Sequence, residues 1–168
     1  MNDTIIMTKR LLLRYQREDD IDFVIELWTD EEITKFAGGP RDKVLLTSNF
    51  NDDMKDAQKK EFDLWYMELR ETGELAGNAG VLQKEIDGTI FHEVCFFMKK
   101  KYWGNGYAAE ISKALMKYMN VKKGIDIFIA IIDKDNIRSK KTAERIGMKY
   151  WKTEMRNNHE KDIYRIDL

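Results

Sequence analysis

Apolar and polar positions along the chain change period several times, and each change marks an element. Ile5–Tyr15 is rich in branched apolar residues, with partial alternation at Leu11, Leu13 and Tyr15, and predicts a first strand. Glu18–Asp20 offers capping carboxylates, and Ile21, Val24, Ile25 and Trp28 then repeat at the period of a helix. "FAGGP" (Phe36–Pro40) ends that region, and a more polar second helix is expected over Asp42–Lys60. Leu64–Arg70 alternates as a strand and runs into a turn carrying Gly73. Leu75–Ile86 and Thr89–Met98 are two further strands joined at Asp87-Gly88, a dipeptide suited to a type I′ hairpin. These three make an antiparallel meander.

Beyond the meander, Ala108, Ile111, Leu115, Tyr118 and Met119 predict an amphipathic helix to about Val121, stopped by Gly124. "DIFIAII" (Asp126–Ile132) is nearly continuous apolar sequence, as expected of a strand covered on both faces. "DKDNIRSKKTAERIGM" makes a helix closed at Gly147 with Lys and Arg toward its C-terminal half, and Lys149–Leu168 reads as a last hairpin around Asn157-Asn158. The order is β-α-α-β-β-β-α-β-α-β-β, with one strand–helix–strand crossover from Thr89 to Ile132, so the class is mixed α/β. A single proline, Pro40, and the lack of repeats or a low-complexity linker predict one domain over residues 1–168.

Composition narrows the function. The 43% hydrophobic content is that of a globular chain, and 29 Lys+Arg against 30 Asp+Glu argues against a dedicated nucleic-acid binder. Cys95 is the single cysteine, so neither an internal disulfide nor a cysteine-built zinc cluster is expected, and no metal is assigned. The polar start "MNDTIIMTKR" does not read as a signal peptide and no run approaches a membrane span; a cytoplasmic protein, monomer or homodimer, is expected.

The chemistry concentrates in "KKKYWGNGYAAE" (Lys99–Glu110), a basic run and a Gly-x-Gly between a strand and a helix. Such a turn can hold phosphate on the amides of a helix N-terminus, or can be a sharp turn with no ligand. It is not the dinucleotide fingerprint: the strand before it belongs to the meander, and no acidic residue ends a suitable next strand. A Walker loop is absent from the sequence.

"FFMKKKYWGNGYAAEISKALMKYM" resembles motif A of the GNAT-type N-acetyltransferases, [Q/R]-x-x-G-x-[G/A], with Lys101 departing at the first position and Gly104 and Gly106 matching. The segment is similar to "YWGKGYA" in the branch containing ribosomal-protein N-terminal (alanine/serine) acetyltransferases. "TKRLLLRYQREDDIDFVIELWTDEEITKFAGGP", "ETGELAGNAGV" and "DKDNIRSKKTAERIGM" resemble other segments of that branch, in the same order. The resemblance implies a mostly antiparallel central sheet flanked by helices, and acetyl-CoA as cosubstrate.

It also implies roles. The N–H groups of Trp103, Gly104, Asn105, Gly106, Tyr107 and Ala108 would cradle the pyrophosphate, where glycine lets the backbone approach closely. Lys99, Lys100 and Lys101 could add charge, or be a solvated run. Phe97 and Met98 would offer backbone groups to the pantetheine arm, and Asn136 would bond that arm, cap a helix, or do both. Glu93 aligns with a glutamate common in the branch and would serve as base through water; the alternative is an exposed strand carboxylate. The general-acid tyrosine of many GNAT enzymes is replaced by Ala143, and the resemblance implies that Ser139, matching a small polar residue of this branch, would serve instead and would also border the cosubstrate; the alternative is an ordinary serine of a first helical turn. The acceptor, an amine-bearing small molecule or a protein N-terminus, would enter near Trp28, Glu31 and Phe36, where acidic groups favour a cation. A non-catalytic acyl-CoA-binding module is the alternative. His92 faces away from Glu93 in a strand, Cys95 reads as a small buried hydrophobe, and His159 as a turn residue.

Overall fold

The computed structural model describes residues 3–168. Eight strands form one sheet in the order β1-β2-β3-β4-β5-β6-β8-β7. β1 (Thr4–Met7) and β2 (Leu11–Arg14) pair antiparallel as a hairpin, where a single strand is expected from the sequence. The turn between them has no Gly, Asn or Pro; Glu110, about a hundred residues away, accepts from the Thr8 hydroxyl at 2.7 Å and the Arg10 amide at 3.0 Å.

α1 (Ile21–Thr29) and α2 (Glu31–Thr34) follow, parted by Asp30, whose carboxylate accepts from the Glu32 and Ile33 amides and starts α2 afresh. α3 (Lys43–Met54) is capped by Asp42 and ends short of the Lys60 expected. β3 (Leu64–Leu69), β4 (Leu75–Ile86) and β5 (Thr89–Met98) form the expected meander, and Asp87 and Gly88 take positive φ of 50° and 76° as a type I′ turn requires. α4 (Tyr107–Lys123) crosses to β6 (Ile127–Asp133), then come α5 (Ile137–Arg145), β7 (Lys149–Arg156) and β8 (His159–Asp167).

Alternation along the strands divides the apolar residues between two faces. Trp65, Met67, Val94, Met98, Phe128 and Ala130 pack with Ile111, Leu115 and Met119 of α4. On the opposite face Tyr66 and Phe97 pack with Phe23, Val24 and Leu27 of α1 and Phe50 of α3. β6 is buried on both faces, as its sequence demands.

Candidate active site

The sheet opens in its middle. β5 and β6 are parallel but paired only at His92–Phe128 and Glu93–Ile129, while β4 and β8 hold their outer edges along their whole length. Past Glu93 the two strands part, and a cleft of about 750 Å³ fills the V between them. Its walls include β5 from Glu93 to Met98, the turn into α4, β6 from Ala130 to Asp133, and one side of α5.

Glu93 stands at the apex. Its side chain is 11% exposed, and Oε1 accepts from the Ile131 amide at 3.3 Å, just beyond the last ladder pair. Burial raises the carboxyl pKa above its usual value, opposed by Lys84 (3.8 Å), the Ile131 amide and Arg156. His92 points to the other face and packs on Phe62, with burial lowering its pKa. Cys95 shares the Glu93 side of the strand, and burial lifts its thiol well above the ordinary range, so it is not a ready nucleophile. His159 is exposed at the β7–β8 turn.

At the other end lies the turn. Gly104 and Gly106 adopt φ of +81° and +78°, and Gly106 stands at the N-cap of α4 with no side chain capping the first-turn amides. Those amides are the helix's free donors. The Asn105 amide bonds the carbonyls of Tyr102 and Trp103, and its own carbonyl accepts from Arg10, so its side chain shapes the turn. Trp103 is pinned by its indole N–H to the Met98 carbonyl at 2.8 Å. Asn136 caps α5 by accepting from the Ser139 amide at 3.2 Å, and both residues line the cleft. Ala143 is buried on the same wall, so no tyrosine hydroxyl is presented there.

The lysine run is placed differently. Lys99 pairs with Glu26 (2.5 Å), Lys100 with Glu32 (2.8 Å) and Asp30 (3.3 Å), and Lys101 with Glu74 (2.9 Å). Lys99, Lys101 and Asn105 lie off the cleft walls. Of the acceptor candidates, Phe36 lines the cleft, but Trp28 and Glu31 do not. Trp28 stacks on Phe97 at 4.5 Å and donates to Asn78 at 3.3 Å, supporting the wall from behind, and Glu31 is exposed.

The structure adds residues that the sequence reading passed over. The Ser112 hydroxyl of α4 is buried on the cleft wall and finds no hydrogen-bond partner among the described residues. Arg138 and Arg145 of α5 border the turn; their spacing along the helix was the available signal, unread beside the more conspicuous lysine run.

These features fit CoA. The free amides and left-handed glycines suit a diphosphate, and a Cβ at Gly104 would meet no protein atom within 4 Å, so packing does not demand glycine there. The unpaired edge of β5 suits the amides of a pantetheine arm.

Residues 10–149 match the acetyltransferase (GNAT) domain family. The protein YkkB of Bacillus subtilis (strain 168), uncharacterized, is 29% identical over 151 residues, which is 89% of this chain and 88% of its own. An acetyltransferase of the GNAT family from Bacillus anthracis superposes with a TM-score of 0.80 at 23% identity, covering 96% of this chain and 97% of that one. RimL, a ribosomal L7/L12 alpha-N-protein acetyltransferase solved in complex with coenzyme A, shares the fold with a TM-score of 0.79 at 15% identity and 98% coverage of each chain. The parted strands, the glycine turn and the family match over most of the chain agree: this chain belongs to the GNAT acetyltransferase family.

Proposed function

We propose that the chain moves an acetyl group from acetyl-CoA directly to a primary amine, on a small molecule or a protein N-terminus. Glu93 carries this reading: a buried carboxylate with a raised pKa at the apex of a cleft that runs to an uncapped helix N-terminus.

Acetyl-CoA supplies the acyl group in activated form, as a thioester. The amides from Gly104 to Ala108 hold the diphosphate, the Trp103 amide being bound to the Lys100 carbonyl at 3.0 Å; the β5 edge by Phe97 and Met98 receives the pantetheine arm, with the Met98 carbonyl already taken by the Trp103 indole, and Asn136 and Ser139 border it. A primary amine at neutral pH is mostly ammonium, with pKa about 10.4 for an alkyl amine and about 8 for an α-amine. Glu93 takes the proton that the amine must lose, and its raised pKa narrows the gap to the donor. The new bond is N–C, the broken bond is C–S, and the departing sulfur gains a proton, for which Ser139 is the cleft hydroxyl in place of the missing tyrosine. Ile33, Phe36 and Ile131 give the acceptor end an apolar wall, which excludes water from the reacting amine.

The test is thiol release from acetyl-CoA in the presence of a panel of alkyl amines and peptide N-termini. Release that depends on an amine is expected. Acetyl-CoA binding without release for any amine would refute transfer and leave the non-catalytic binder.

A further inference from the structure

The Glu93 carboxylate is held from two sides. Oε1 accepts from the Ile131 amide of β6 at 3.3 Å, and Oε2 lies 3.8 Å from the Lys84 ammonium of β4. Register places Lys84 there. Leu82 stands opposite Glu93 and Lys84 opposite Phe91, so Lys84 and Glu93 project from one face of the β4–β5 ladder as diagonal neighbours. No β4 residue lines the cleft, so Lys84 meets the carboxylate from outside it. Its side chain is 38% exposed against 11% for Glu93, so solvent reaches the ammonium while the carboxylate stays covered.

The other charged groups around the apex and along the cleft are engaged elsewhere. Arg156 of β7 donates to the Glu85 carbonyl and pairs with Glu154 at 3.1 Å. Lys152 pairs with Asp87 and Glu154, and Lys161 of β8 with Asp133 of β6. Across the cleft Glu32 of α2 is bound to Lys100, and Lys35 lies 5.2 Å from the Phe36 ring centroid. Asp135, before α5, also borders the cleft. Cys95 is a buried thiol whose ionisation the Glu93 charge itself opposes. Among the described residues Glu93 is the one ion-pair partner of Lys84.

Acetyl transfer to an ammonium removes two protons from nitrogen; one ends on the departing sulfur and the other leaves to solvent. With Glu93 as base, the carboxyl carries that second proton and must lose it before the next turnover. We propose that Lys84 is a positioning residue for this base, fixing the carboxylate at the cleft apex through Oε2 as the Ile131 amide fixes it through Oε1. Its positive charge also favours loss of the proton that Glu93 has taken. The inference rests on the acetyl-transfer reading above and deepens it.

Carbon NMR of the whole chain, labelled at the glutamate carboxyls, tests this, the Glu93 signal being the one lost in Glu93→Gln. We expect Lys84→Met to move the Glu93 titration midpoint up by about 0.5–1 pH unit, the effect of one partly screened charge at this distance. Lys84→Arg should keep the midpoint near native. Thiol release from acetyl-CoA with the amine panel should follow: in Lys84→Met the acid limb moves up equally, and kcat below it falls about three- to tenfold, with the KM for acetyl-CoA within about twofold of native. An unmoved midpoint in Lys84→Met, or a moved midpoint with an unmoved acid limb, overturns the role of Lys84 and leaves the acetyl-transfer reading standing. Native thiol release by Glu93→Gln, or no release with any amine, overturns that reading's base or the transfer itself, and the role of Lys84 with it.

Discussion

Gly104 allows the cost to folding and the cost to binding to be separated in one position. Its φ of +81° is left-handed, so any side chain strains the backbone, by about 1–2 kcal/mol. The added Cβ would meet nothing within 4 Å, so there is no clash to add. For a chain of this size that strain lowers the melting temperature by about 2–8 °C. Gly77 and Gly80 are the contrast: there a Cβ would stand 2.0 Å from the Phe97 carbonyl oxygen and 1.7 Å from that of Asp63, and the sheet could not close. Gly104→Glu should therefore fold. It places a carboxylate beside the amides proposed to hold the diphosphate, and two like charges about 4 Å apart at a protein surface repel by about 4 kcal/mol. Partial relaxation of the glutamate still leaves a loss of at least about a hundredfold in acetyl-CoA affinity. Calorimetry with a thermal melt on the same sample is the assay. A folded Gly104→Glu chain that binds acetyl-CoA as the native chain does would refute the phosphate cradle.

Glu93→Gln keeps the shape of the apex and removes the base, so kcat should fall about a hundredfold or more. Because burial raises the Glu93 pKa, the acid limb of the native pH profile should lie above the ordinary glutamate value and vanish in the variant; unchanged kinetics removes Glu93 as base. The stability sign follows from the same shift. A carboxyl raised on folding contributes stability below its unfolded pKa and loses it as pH rises through the folded value, so the variant's stability should fall less than the native chain's over that window. Elsewhere, Arg14 and Asp20 are each 3% exposed and joined by two 2.8 Å bonds, with Glu68 as second partner to Arg14. Asp20→Asn leaves a buried guanidinium undercompensated and should cost about 3–5 kcal/mol, or about 6–20 °C in a thermal melt; a melt within a degree of native would show the pair to be dispensable.

The elements legible in the sequence were those whose signals are local. Both type I′ turns, at Asp87-Gly88 and Asn157-Asn158, carry the residues that tolerate positive φ. The α4 stop at Gly124 is likewise set by one residue in the left-handed region. The β1–β2 hairpin was not legible because its turn is held by Glu110 from another element. At the site, the turn at Gly104 and Gly106 was legible from a short segment, whereas Glu93 and Asn136 were singled out by the resemblance and are placed on the cleft wall by the fold. Trp28 and Glu31 could not be assigned, since whether a helical side chain lines a cleft or backs its wall depends on the rotation of α1 and α2 against β5.

The charges show best how sequence distance hides chemistry. Lys99–Lys101 suggested a phosphate patch, and the acids from Asp30 to Glu32 suggested an attraction for a cationic amine. In the fold, Glu26, Asp30 and Glu32 become partners of Lys99 and Lys100, Lys101 takes Glu74, and Glu31 stays exposed, so most of both runs is paired within the protein. Exposed pairs of this kind contribute little stability, about 0–1 kcal/mol each. Their consequence is positional: they tie the segment leading into the glycine turn to α1 and α2, and so relate the cosubstrate end of the cleft to the Phe36 wall. With those pairs formed, the proposed cradle for the diphosphate rests on the neutral amides of the turn. The proposed acceptor end then has the apolar side chains of Ile33, Phe36 and Ile131 and the buried carboxylate of Glu93, with Glu32, Asp133 and Asp135 also on the cleft wall. On the proposed reading, a second cation on the acceptor has to lose water along Ile33, Phe36 and Ile131, where two of the carboxylates on the cleft wall are already bound, Asp133 to Lys161 and Glu32 to Lys100.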